Sequence, residues 1–192
     1  MKGALDVRIL WAADRAASVW KNGGGVTREI AVFPEGAGMD EFVWRASLAE
    51  VAADGPFSAF PGVTRTLTLV EGVGMDLDVG GERRLVDERF APQDFPGDEP
   101  TDCRLLDGPV VNFNVMYRRG AAEVETAVVR GELTLDVKVD EAVLVVALQD
   151  PIALEVPPGR ALALGPYDAA LLTSSFIDLV RISGRAAVVR LR

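Results

Sequence analysis

Residues 67–79 read Leu67-Thr-Leu-Val-Glu-Gly-Val-Gly-Met-Asp-Leu-Asp-Val79, and they align without a gap on Leu144-Val-Val-Ala-Leu-Gln-Asp-Pro-Ile-Ala-Leu-Glu-Val156. Leu67, Leu69, Met75, Leu77 and Val79 fall opposite Leu144, Val146, Ile152, Leu154 and Val156. Each segment turns in its middle and is followed by a Gly or Pro pair, and the first alternates apolar and other residues at both ends. Period-two alternation is the mark of a half-buried strand. Any two β-hairpins can share this pattern, but if the repeat is real the chain holds two related β-barrel halves. The expected division is 1–105 and 106–192, with strands open to exchange between the halves.

The rest of the chain agrees with an all-β reading. Arg65–Val70, Met75–Val79 and Glu132–Val139 alternate, and Val143–Leu148 is a continuous apolar run whose two faces are both expected to be buried. Ile152–Val156, Ala161–Leu164, Ala169–Leu172, Ile177–Ile182 and Ala186–Leu191 read as further short strands. Turns are expected between them at Gly72–Gly74, Gly80–Gly81, Pro157–Gly159, Gly165–Pro166 and Ser183–Gly184. Many short strands at this spacing predict a sandwich or barrel. Helix signals are sparse: Asp14–Val19 suits about one turn. Glu88–Pro100 is broken by Pro92, Pro96 and Pro100, and reads as an acidic surface loop.

Composition bounds the function. With 49% hydrophobic and 26% charged residues, the 192-residue chain is globular. A net charge of −9 argues against nucleic acid and against an anionic membrane as partners. Cys103 is the single cysteine, so no intrachain disulfide is expected. The N-terminal residues offer no long apolar stretch, and a cytoplasmic protein is expected. The chain has no histidine, hence no Ser-His-Asp set and no imidazole metal ligand; neither a metal nor a cofactor is expected.

Four segments concentrate side-chain chemistry. Trp20-Lys-Asn-Gly-Gly-Gly-Val-Thr-Arg-Glu29 holds three consecutive glycines, which let a backbone turn sharply or approach a ligand closely. It offers Trp20, Lys21, Asn22 and Thr27 around them. Its glycines match neither Gly-x-Gly-x-x-Gly nor a phosphate-binding loop. In Phe42–Val51, alternation puts Phe42, Trp44, Ala46 and Leu48 on one face and Arg45 and Ser47 on the other. Gly55-Pro-Phe-Ser-Ala-Phe-Pro-Gly62 is a stiff loop that delivers Arg65 to the start of a strand. A guanidinium held there suits bidentate capture of a carboxylate. Phe57 and Phe60 read as core plugs. Within Asp107–Gly120, Asn112 and Asn114 share a face and can orient a small polar ligand.

In this order the four motifs closely resemble the HutD/Ves family, over roughly residues 8–120. The resemblance implies a bicupin, two small jelly-roll-like β-barrels in one chain. Typical cupin metal sites use histidines, so it implies a cupin scaffold without that metal chemistry. HutD members are associated with histidine utilisation, and the resemblance implies that this chain moderates it by binding a small acidic intermediate such as formylglutamate or urocanate. Ves members are linked loosely to stress or cold response. The reading is therefore a metal-free protein that binds a small carboxylate through Arg65, with Arg45 as a second cation. Lys21, Asn22, Thr27, Ser47, Asn112 and Asn114 supply further polar contacts, and Trp20 an apolar wall. The alternatives are an isomerase or hydrolase acting on a small organic acid, with Glu29 or Lys21 as base, and a protein-interaction module using Phe57 and Phe60. The oligomeric state is left open, a homodimer included.

Overall fold

The structure, a computed structural model, describes residues 5–192. Strand β1 (Asp6–Leu10) is followed by a 3-10 turn at Ala12–Asp14, and then β2 (Ala17–Val19) stands where a helical turn was predicted. Strands β3 (Gly25–Phe33), β4 (Trp44–Val51), β5 (Gly55–Phe57), β6 (Val63–Glu71), β7 (Met75–Val79) and β8 (Glu82–Val86) follow. Next come β9 (Gln93–Pro96), β10 (Thr101–Leu105), β11 (Val110–Arg118) and β12 (Val124–Val137). The chain ends with β13 (Ala142–Ala147), β14 (Ile152–Val156), β15 (Arg160–Leu164), β16 (Ala169–Thr173) and β17 (Asp178–Leu191). The fold is all-β, as predicted.

Two compact units emerge, Arg15–Ala122 and residues 5–14 joined with Glu123–Arg192. This corrects the expected division at 105/106. β11 lies between β4 and β6 in one sheet, so it stays with the first motifs, while β1 is bonded to β16.

The unit Arg15–Ala122 contains a six-stranded sheet in the order β2-β3-β4-β11-β6-β9 and a four-stranded sheet β5-β10-β7-β8. Leu67 and Leu69 from the first sheet pack on Met75, Leu77 and Cys103 from the second. This packing is the hydrophobic reason for the fold, because each sheet buries the apolar side of its alternation against the other. The other unit is a single seven-stranded sheet, β1-β16-β13-β17-β14-β15 with β12 added on β17. Its core includes Val143, Val145, Ala147, Ile152, Leu154 and Val156.

The repeat that opened the sequence holds in one arm only. Met75, Leu77 and Val79 enter one core and Ile152, Leu154 and Val156 the other. Leu67 and Leu69 also point to their core, whereas on β13 it is Val143 and Val145 that do. Leu144 and Val146 are buried on the opposite face. Because both faces of β13 are buried, hydrophobicity there carries no register.

Two further expectations are corrected. The proline-interrupted stretch is not all loop: it forms β9 and leads into β10, and Phe95 is in the core. β9 ends its sheet, where a proline costs no ladder bond. Ser183–Gly184 is not a turn but the middle of β17. Gly184 has φ +128, and a Cβ there would lie 2.7 Å from Ile152 Cγ2. The glycine bends the strand past a core side chain and does not reverse it.

Candidate functional site

Six of the nine candidate residues share the inner face of the six-stranded sheet. Arg65 on β6 stands opposite Met116 on β11, which stands opposite Arg45 on β4. One step along, Leu67, Asn114, Ser47 and Glu29 form the next row across β6, β11, β4 and β3. Leu69, Asn112, Ala49 and Thr27 form the third. Residues in register share a face, with directly opposed Cβ atoms about 5 Å apart. Thr27, Arg45, Ser47, Arg65, Asn112 and Asn114 therefore line one surface. It is the inner one, since Asn112 Nδ2 reaches Met75 Sδ of the facing sheet at 3.5 Å.

Arg65 is the centre of this surface. It is 9% exposed and makes no ion pair among the described residues, and its Nε has no hydrogen-bond partner. Its guanidinium carbon lies 5.1 Å from the ring centre of Phe57, 6.0 Å from that of Phe60 and 5.3 Å from that of Phe95. The cation is thus held among aromatic rings, which attract it but do not neutralise it. Burial pulls its pKa down to about 10, so it remains charged at neutral pH. The rigid Gly55–Gly62 segment supplies two of the rings. The third, Phe95, escaped the sequence reading because its local context is proline-rich and polar.

Two amide oxygens on the same face are also unpaired. Asn112 is 1% exposed and Asn114 6% exposed, yet Oδ1 of each has no partner. Buried polar atoms are normally paired, and three that are not share this inner face. Arg45 is differently placed: its Nε donates to Glu29 Oε2 at 2.7 Å, and its Nη1 contacts Met39 Sδ. Glu29 is therefore engaged as a counter-ion. Ser47 is buried between Glu29 and Asn114 in register.

The glycine segment has a local architecture of its own. Trp20 Nε1 donates to Thr27 Oγ1 at 2.8 Å, and the Trp20 ring packs edge-on against Phe57 with centroids 5.8 Å apart. Asn22 Oδ1 accepts from the Gly24 amide at 3.0 Å, which shapes the β2–β3 turn. Gly25 is required by close approach, since a Cβ there would lie 2.6 Å from the Glu50 carbonyl oxygen and 3.0 Å from the Trp20 ring. Lys21 and Asn22 are exposed at the turn and are not brought to the inner face. The segment supports the site indirectly, because Trp20 braces Phe57, and Phe57 faces Arg65.

The inner face does not suit a cupin-type metal. It presents two guanidiniums, two amides, hydroxyls and one carboxylate already paired with Arg45, and cations repel a metal ion. Among the described residues no group of three or more His, Cys, Asp or Glu is placed to hold one. Cys103 is buried, and burial followed by the nearby Asp54 charge pushes its thiol up to about 12, so it is inert. Two hollows, of about 740 and 360 Å³, are lined by residues of the other unit. No helix among the described residues is long and apolar enough to cross a membrane.

Packed antiparallel sheets around a face of buried polar side chains make this a cupin-like β protein. A cupin 2 conserved barrel domain protein from Leptotrichia buccalis superposes with a TM-score of 0.56 over 87% of this chain and 88% of its own, at 12% identity, which speaks to the fold alone. The chain belongs to the HutD family, whose pattern it matches over residues 12–189. That match takes in the C-terminal third, which the motifs alone did not reach. HutD from Pseudomonas fluorescens SBW25 has a similar structure, with a TM-score of 0.85 and 31% identity over 97% of this chain and 98% of that one. A conserved protein of unknown function from Pseudomonas aeruginosa PAO1 superposes with a TM-score of 0.88, also at 31% identity. Among curated relatives, an uncharacterized 21.2 kDa protein in the hutC 3′ region of Pseudomonas putida is 39% identical over 111 residues, 58% of each chain. Protein Ves of Cronobacter sakazakii is 38% identical over 112 residues, 58% of this chain and 60% of Ves. The chain thus spans 58–60% of the length of the curated relatives it matches.

Proposed function

We propose that the inner face of the Arg15–Ala122 unit binds a small organic acid. Arg65 pairs with its carboxylate, and Ser47, Asn112 and Asn114 hydrogen-bond the rest of the molecule. The observation that carries this reading is Arg65 itself, a buried cation without a counter-ion. Burying an unpaired charge is expensive, and aromatic contacts recover only part of that cost. A carboxylate entering this face supplies the missing charge, and polar groups on it meet the open Asn acceptors. In this reading each unit is one half of a bicupin, and the polar half carries recognition where other cupins carry a metal.

The family and the gene-region name of the Pseudomonas putida relative support a role in histidine utilisation. The protein then moderates that pathway in the cytoplasm by sensing an acidic intermediate, with formylglutamate and urocanate as the first compounds to test. Titration calorimetry with each of these and with succinate is the direct experiment. Arg65→Ala is expected to weaken binding by at least about 30-fold, equivalent to about 2 kcal/mol, while circular dichroism stays native. Unchanged affinity in a folded Arg65→Ala variant refutes the assignment.

A further inference from the structure

Strand β12 is an edge. Among the described residues it pairs with β17 and with no other strand, leaving the opposite edge of a 14-residue strand open. Long open edges template pairing with another chain, and soluble proteins usually cover or interrupt them. One face of β12, with Ala127, Val129, Leu133 and Leu135, lines the open groove of about 740 Å³. Ile177 and Leu179 at the same groove are 69% and 61% exposed. At the strand's midpoint Arg130, Gly131 and Glu132 are all exposed, and neither Arg130 nor Glu132 has an ion-pair partner among the described residues.

We propose that this edge joins two copies of the chain, β12 pairing antiparallel with β12 of a second copy about a two-fold axis at Gly131. Symmetry restricts the register, and charge favours Gly131 over its two charged neighbours. To keep apolar side chains on one face, the axis must fall on a residue and not between two. An axis at Arg130 sets that arginine against itself, and an axis at Glu132 opposes two carboxylates. An axis at Gly131 sets Arg130 opposite Glu132 of the second copy, twice over. It also places Val129 opposite Leu133 and Ala127 opposite Leu135, which extends the apolar face across the junction, and Thr126 opposite Asp136, so that no like charges are opposed. Gly131 has φ +91, and a Cβ there would meet nothing within 4 Å, so the position on the axis is open.

The test is a charge swap read by light scattering and sedimentation on the full chain. The wild type is expected to be a dimer. Arg130→Glu opposes two carboxylates in each pair and should raise the dimer dissociation constant at least about tenfold. The double variant Arg130→Glu/Glu132→Arg should restore the dimer, and both variants should keep the native circular dichroism spectrum because the two side chains are exposed. A monomeric wild type leaves the edge to some other occupant and overturns the proposal. So does a dimer indifferent to Arg130→Glu, and failure of the double variant to recover overturns the register. Arg65→Ala should dimerise like the wild type, which keeps this result separate from the ligand reading.

Discussion

At Arg65 and its neighbours, stability and recognition oppose each other. Asn114 is buried with an unpaired acceptor, a state that costs about 1–3 kcal/mol if no water or ligand fills it. Valine suits a strand and brings no polar atom. Asn114→Val is therefore expected to stabilise the free protein by about 1 kcal/mol in chemical denaturation while weakening the acid ligand. A variant that loses stability shows that Asn114 is satisfied in solution and has a structural role. At this scale the sequence was informative where local stiffness and alternation placed a residue. Arg65 followed from the loop before it, and Asn112 and Asn114 from their spacing. Trp20, Asn22 and Thr27 drew attention through chemical density, and the structure shows Trp20 bonded to Thr27 and Asn22 to the turn backbone. Density of polar groups does not say whether they face each other or a ligand.

Among the elements, the end of β17 is tied to β13 and β12 by a buried carboxylate. Glu141 Oε2 accepts from Arg190 Nη1 at 2.9 Å and Oε1 from Arg192 Nε at 3.2 Å, while Arg190 Nη2 reaches Asp136 at 3.0 Å. Burial alone pushes the Glu141 carboxyl up. The hydrogen bonds from Arg190 and the Lys138 amide, with the Arg190 and Arg192 charges, outweigh burial and hold it below its ordinary 4.5. A carboxyl depressed in the folded state stabilises the fold above 4.5, and that contribution is lost as pH falls through the folded-state value. Glu141→Gln should lower stability at neutral pH and flatten the loss of stability below pH 4.5, read by urea unfolding across pH. An acid limb identical to the wild type assigns acid sensitivity to other groups. Strand existence was largely legible at this scale, and β7 and β14 begin and end where alternation predicts. Strand ends at glycine and proline were less so, because Gly184 and Pro96 mark a bend and an edge, and a turn signal describes backbone freedom without saying what uses it.

In the whole molecule, ligand binding must appear as stability. A ligand at a hundred times its dissociation constant adds about 2.7 kcal/mol to the state that binds it, a rise of about 5 °C or more in midpoint for a chain of this size. Thermal shift with formylglutamate or urocanate should show that rise in the wild type and none in Arg65→Ala; equal shifts in both place the ligand elsewhere. The sequence by itself determined the all-β class, the family, the absence of histidine chemistry and most of the strands. The class and the strands depend on composition and on period-two patterns, and the family on short motifs, all of which are local. Only the tertiary structure decided that β1 joins β16 and β11 joins β4 and β6, because strand pairing is a contact between distant residues with no local trace. It also decided that Phe57, Phe60 and Phe95 surround one guanidinium. Whether a buried cation has a counter-ion is a fact about every element packed around it, and no stretch of sequence contains that fact.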